Sequence, residues 1–312
     1  MKKTAFLFPG QGSQAVGMGM DLYQEFDFIR EIFDMAEEVT RMNLSTLCFE
    51  GPMSELTLTM NLQPAITLIN LAFLAALEKM ERKPDVSAGH SLGEFCALNA
   101  AGVISREDTL RLVYKRGELM HRESTRYQGA MTALVGLSME DVMKLTATAG
   151  SEGVVSVANH NTEKQIVITG SPAPVGKAAA LAVEKGARAI SLKVSGAWHS
   201  VLIQGAEEEF KAYLDTVSFH SPATPVIHNV TAESCTDPSE IKSLMVRQLC
   251  SPVRWYESME KLIREEVTDF VEVGPGKVLS GLIKKTLPDG YPARIHNVNS
   301  LKTLETYLND TV

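Results

Sequence analysis

Hydrophobic and polar positions along this chain follow two rhythms. Thr4 to Phe8 (TAFLF) is a short apolar run stopped by Pro9-Gly10, which predicts a strand and a glycine-rich turn. Pro64 to Met80 is almost wholly apolar and predicts a long helix with proline at its start, where a missing N–H costs little. Asp85 to Ala88 predicts a short buried strand, Leu92 to Ala101 a helix, and Arg106 to Arg122 another.

From about Gly129 the rhythm changes. AMTALVGL predicts a strand, and SMEDVMKLTATAG a helix with a serine cap and a glycine stop. VVSVANHNT and KQIVITG predict two strands, PAPVGKAAALAVEKGA a helix, and RAISLKV a strand with clean alternation. The order β-α-β-β-α-β is that of a ferredoxin-like unit. It predicts a small subdomain, residues 128–195, inserted into an α/β subdomain of residues 1–127 and 196–312. The α/β pattern then resumes with TPVIHNV, IKSLMVRQL, DFVEVG and KVLSGLIKKTL, read as strand, helix, strand, helix.

Composition narrows the class. At 312 residues, 45% hydrophobic and 22% charged, the chain is of ordinary globular make-up and long enough for about two domains. Its four cysteines lie far apart without a C-x-x-C pair, which speaks against a zinc site or disulfide framework and fits a reducing cytoplasm. The opening MKKTAFLFPG imitates a signal peptide, but its apolar run is too short for an h-region. No run approaches the roughly 20 apolar residues that span a bilayer. A net charge of −8 disfavours a general nucleic-acid or anionic-membrane surface.

Candidate chemistry centres on Gly89-His90-Ser91-Leu92-Gly93. The pattern G-x-S-x-G between a strand and a helix is that of a nucleophile elbow. The Leu92 N–H can then face a developing oxyanion. The bland alternative is a serine N-cap on a buried helix. A serine nucleophile needs a base. His90 is adjacent and should diverge from Ser91. His160 lies at a strand end, His199 lies where the inserted module returns, and His296 follows the last α/β repeat; spacing does not choose among them.

The helix Arg106 to Arg122 carries a charge on its apolar side. Arg111, Lys115, Glu118 and Arg122 form a polar stripe, and Leu112, Val113, Leu119 and Met120 an apolar one. Arg116 falls within the apolar stripe. A buried guanidinium is costly unless paired. Either it meets an internal carboxylate, or it lines a cleft and receives an anionic ligand through its two-pronged fork. The loop Phe8 to Gln14 has the spacing Gly10-x-Gly12-x-x-Ala15, similar to a dinucleotide fingerprint but on a short, proline-ended strand. It serves better to present a backbone N–H or the Gln11 amide to the serine.

Taken together, the motifs resemble those of malonyl-CoA:acyl carrier protein transacylases and the related acyltransferase domains of fatty-acid and polyketide synthases. The resemblance rests on FPGQGSQ (8–14), QPA (63–65), GHSLGE (89–94), YKRGELM (114–120), GAWHS (196–200), RQLCSPVRW (247–255) and VEVGPGKVLSGL (271–282), which span nearly the whole chain. It implies an α/β-hydrolase-like large subdomain with an inserted ferredoxin-like small subdomain. It implies Ser91 as nucleophile, His199 as base, Arg116 as binder of the malonyl carboxylate, and Gln11 with the Leu92 N–H as oxyanion hole. Gln248 would orient the histidine through its backbone carbonyl, and Gln63 and Asn161 would lie near the cleft. Many malonyl-selective relatives have phenylalanine where this chain has Trp198; the larger indole is expected to narrow the acyl pocket against methylmalonyl.

The resemblance further implies a cytoplasmic monomer without metal or cofactor, taking malonyl-CoA as substrate and holo acyl carrier protein as partner. Arg122, Arg126, Lys185, Lys284 and Lys285 are candidates for a local basic surface toward that acidic partner. Two rival readings are a serine hydrolase using Ser91, His296 and Glu272, and a nucleotide-binding subunit using the glycine-rich loop.

Overall fold

The structure, a computed structural model, describes residues 3–310, so Met1 and Lys2 of the opening stretch lie outside the described residues. Its strands are β1 (Thr4–Phe8), β2 (Val86–Gly89), β3 (Ala130–Val135), β4 (Val155–Thr162), β5 (Gln165–Gly170), β6 (Arg188–Ser191), β7 (Val226–Ile227), β8 (Asp269–Val273) and β9 (Arg294–Val298). They form two sheets. One is parallel in the order β7-β2-β1-β8-β9. The other is antiparallel in the order β4-β5-β3-β6, with its first and third strands central, as in a ferredoxin-like unit.

Period-two alternation explains how β1 joins two cores. Phe6 and Phe8 pack with the apolar residues of the helix Thr59–Lys79 and the helix Gly93–Ala100. Ala5 and Leu7 pack on the other face with Trp255, Met259, Leu279 and Ile283. The small sheet has its own core, with Leu134, Ile166 and Ile168 against Val142, Val175 and Ala178.

Several boundaries differ from the pattern reading. The long helix begins at Thr59, which places Pro64 inside it. It is long and apolar enough to cross a membrane, contrary to the sequence expectation, but 89% of its apolar window is buried within the protein. Helices Met20–Glu25, Asp27–Thr40, Leu44–Phe49 and Met53–Leu56, unassigned from pattern, cover the Thr59–Lys79 helix. β6 is only four residues long; Leu192 and Val194 leave the sheet and line a cavity instead. His296 lies on β9, a strand that the pattern reading did not assign.

Two close approaches position the site. Gly117 sits against Thr59 and Met60, where an added Cβ would lie 3.2 Å from the Thr59 carbonyl, so the helices Thr59–Lys79 and Arg106–Arg126 run close together. Gly129, where the chain enters the small sheet, abuts Ala197, where it returns; a Cβ there would lie 2.1 Å from the Ala197 nitrogen. That contact holds the loop bearing His199.

Candidate active site

β1 and β2 are neighbours, with Phe8 paired to Gly89, so the loops after them emerge side by side at the carboxyl end of the parallel sheet. Such an end, where adjacent loops diverge, is where open α/β sheets bind ligands. Ser91 occupies the turn after β2 at φ 51°, a left-handed conformation that a residue with a Cβ rarely adopts. Its flanking glycines are sterically required. A Cβ on Gly89 would lie 2.0 Å from the Gly93 carbonyl carbon, and one on Gly93 would lie 2.0 Å from the Phe8 carbonyl oxygen. The turn is thus packed against β1 and aims Ser91 and the start of the helix Gly93–Ala100 at one point. Among the described residues nothing accepts the Leu92 backbone N–H.

The Ser91 hydroxyl lies 2.8 Å from His199 Nε2. His199 is itself left-handed, at φ 61°. Its Nδ1–H donates to the Gln248 carbonyl at 2.9 Å, which leaves Nε2 as the acceptor for the serine proton. Burial first, and the nearby Arg116 charge second, hold the His199 pKa down at about 3. The imidazole is therefore neutral at neutral pH.

Arg116 is 1% exposed. Its Nη1 donates to Gln63 Oε1 at 2.9 Å, and its Nη2 to Ser91 Oγ and Gln248 Oε1, each at 3.1 Å. Its guanidinium carbon lies 5.8 Å from the centre of the Phe95 ring. Burial lowers its pKa to about 10, against the opposing pull of Glu94, so it stays charged at neutral pH. It lines the cavity, and a buried carboxylate lies behind it, joined through the Gln248 amide, whose Nε2 donates to Glu94 Oε2 at 2.7 Å.

Glu94 was not singled out from sequence, although a lone carboxylate in an apolar helix is a legible signal. It is 1% exposed, accepts from His228 Nδ1 at 2.8 Å and from the Asn229 N–H at 3.3 Å. Asn229 carried no such signal. Its Oδ1 accepts the Ser91 N–H at 2.7 Å and its Nδ2 donates to the Gly89 carbonyl at 2.7 Å.

Ser91, His199 and Arg116 border a cavity of about 100 Å³ that also touches Gln11, Gln63, Leu92, Met120, Met131 and Trp198. Trp198 is 4% exposed and its ring rests on Gly196, where a Cβ would lie 2.7 Å from ring carbons. Asn161 stands one step back, its Oδ1 2.9 Å from His90 Nε2. His90 thus diverges from the serine as expected. His160 is placed against Glu257 and Tyr256, away from Ser91.

The hydrolase triad is not assembled. His296 faces Asp269 and Tyr307, while both oxygens of Glu272 accept the Leu279 and Ser280 N–H groups at the start of the helix Val278–Thr286. Of the basic candidates, Arg122 and Arg126 both bond Glu123, Arg122 also bonds Glu209, and Lys185 pairs with Asp141. Lys285 reaches Gln165 at 3.4 Å, and Lys284 is exposed.

A malonyl CoA-acyl carrier protein transacylase of Bacillus subtilis is 47% identical over 287 residues, 91% of this chain and 90% of that protein. A protein of the same name from Haemophilus influenzae is 40% identical over 311 residues, 99% of this chain and 100% of that protein. Among solved structures, an acyl carrier protein S-malonyltransferase from Vibrio cholerae matches with a TM-score of 0.93 at 39% identity, covering 98% of this chain and 100% of that one. A chain from a type II PKS acyl-carrier protein in complex with its malonyl-transacylase matches with a TM-score of 0.94 at 34% identity, covering 99% of this chain and 100% of that one. Residues 5–310 match the acyl transferase domain, and with a serine–histidine pair at the sheet's carboxyl end and relatives of this identity and coverage, the chain belongs to the acyl transferase domain family.

Proposed function

We propose that this chain moves a malonyl group from malonyl-CoA to the phosphopantetheine thiol of acyl carrier protein through an ester on Ser91. The observation that carries the reading is one oxygen with two partners: Ser91 Oγ lies 2.8 Å from the neutral His199 Nε2 and 3.1 Å from the charged Arg116 Nη2. In the first half-reaction Ser91 Oγ attacks the thioester carbonyl while His199 Nε2 takes its proton. In this reading the Leu92 N–H and Gln11, whose residues both line the cavity, hold the oxyanion, each such donor contributing about 3 kcal/mol. The tetrahedral species collapses, the C–S bond breaks, and His199 returns the proton to the departing CoA sulfur.

In the second half-reaction the carrier thiol gives its proton to His199 and attacks the ester. Ser91 regains its proton as the C–O bond breaks. Arg116 receives the malonyl carboxylate and fixes the acyl group in one orientation, with Gln63 and Gln248 steadying the guanidinium. Gln248 also holds the imidazole through its carbonyl, so no third acid is required. Trp198 limits the room beside the acyl carbon, and His90 with Asn161 forms the wall beyond Ser91. The proposal takes the chain to work as a monomer, without metal or cofactor. Its four free thiols suit a reducing cytoplasm.

Intact-mass analysis tests the reading. Mixing with malonyl-CoA is expected to add one malonyl group to Ser91, and a holo carrier protein to remove it. No adduct, or an adduct released only to water, would contradict it.

A further inference from the structure

The strained conformation of Ser91 needs something to hold it. A left-handed residue with a Cβ is strained and persists only where surrounding contacts over-determine it. One side chain does this from both sides. The Asn229 amide accepts the Ser91 N–H at 2.7 Å and donates to the Gly89 carbonyl at 2.7 Å, and so brackets the turn across His90.

We propose that Asn229 is the positioning residue of the nucleophile turn, clamping its backbone so that the Ser91 hydroxyl meets His199 and the Leu92 N–H faces the oxyanion. This rests on the reading of Ser91 as nucleophile. Asn229 is 1% exposed and does not line the cavity, so it acts through Ser91 and not on substrate. It is also fixed from behind. Its N–H reaches Glu94 Oε2 at 3.3 Å, and its carbonyl accepts the Arg254 N–H at 3.0 Å. Glu94 in turn binds Gln248, which donates to the Ser91 carbonyl at 3.0 Å and holds the His199 ring. One buried network therefore sets the backbone of the nucleophile and the orientation of its base. The short β7 has a reason in this: the chain leaves the sheet after Ile227 so that His228 and Asn229 can reach Glu94 and the turn.

The clamp acts on attack itself, whichever acyl group is offered. Asn229→Ala is expected to lower kcat by about 10²-fold for malonyl-CoA and acetyl-CoA alike, the scale of a misplacement near 1 Å. KM for malonyl-CoA should stay within about threefold, because Arg116 is untouched. Asn229→Asp supplies a readout that a merely structural role would not move. Its carboxylate still accepts the Ser91 N–H but repels the Gly89 carbonyl; protonated, it can donate there. Acylation by Asn229→Asp should therefore rise as pH falls from 8 to 5.5, while the native protein stays flat. Neighbouring Glu94 favours that protonation. Wild-type acylation in both variants, a loss confined to malonyl, or failure of both to fold would overturn the proposal. The native protein and Ser91→Ala run alongside separate this from the parent reading: if the native protein forms no Ser91 adduct, the nucleophile assignment fails, not the clamp alone.

Discussion

Replacing Arg116 with alanine separates recognition of the malonyl carboxylate from the chemistry of transfer. Arg116 is 1% exposed, so a carboxylate that reaches it has left water. Removing one partner of a buried ion pair costs about 3–5 kcal/mol, because the other charge stays buried and unpaired. At 1.36 kcal/mol per decade this is a loss of roughly 10²- to 10⁴-fold in kcat/KM for malonyl-CoA. Acetyl-CoA has no carboxylate and meets two opposed effects. The variant loses the 3.1 Å hydrogen bond to Ser91 Oγ, worth about 1.5–3 kcal/mol when the donor is charged. It also removes the positive charge that is the second cause of the low His199 pKa, which makes the base stronger. Because these two effects oppose each other, acetyl transfer should lose distinctly less than malonyl transfer. The assay is transfer of each acyl group to a holo carrier protein by native and variant enzyme, after circular dichroism confirms that both are folded. Equal losses for the two substrates would refute the carboxylate role of Arg116.

Other outcomes follow from the same geometry. Because His199 is held at about 3, kcat/KM, which reports the free enzyme, should show no acid limb near pH 6.5; a limb there would contradict the neutral base. The same depression links to stability. The unfolded histidine takes up a proton below about 6.5, whereas the folded one does so only near 3, so this contribution is full above pH 6.5 and is lost as pH falls toward 3; urea titrations at pH 7.5 and 5 measure it, and higher stability in acid from this group would be the wrong sign. Trp198→Ala should widen the acyl pocket and raise the ratio of methylmalonyl to malonyl kcat/KM; an unchanged ratio removes Trp198 as a selector. His199→Ala should cost about 10²- to 10⁴-fold in acylation, whereas His296→Ala, beside Asp269 on β9, should cost almost none; the reverse order would restore the hydrolase triad.

Local chemistry made much of this protein legible. The runs Thr4–Phe8 and Asp269–Val273 gave interior strands that are buried along nearly their whole length. The β-α-β-β-α-β order in residues 128–195 gave the small sheet because short β-branched and apolar runs are separated by two helices bounded by serine, proline and glycine. The helix Asp27–Thr40 was legible and went unread, since its buried Ile29, Ile32, Phe33 and Ala36 recur at helical spacing. Proline misled at position 64, where tertiary packing carries the helix past a residue that local propensity puts at its start.

From the sequence alone came the turn that can hold a serine, the arginine misplaced on an apolar stripe, and several histidines of equal standing. Choosing among those histidines by geometry required the tertiary structure. Ser91 and His199 are 108 positions apart along the chain, and only the abutment of Gly129 on Ala197 and the Gln248 carbonyl bring the imidazole to the hydroxyl. Glu94 and Asn229 likewise gain their roles from residues distant in sequence. The physical reason is that strand, turn and helix preferences are set by near neighbours, whereas hydrogen bonds and burial depend on which distant segments the packed sheets place in contact.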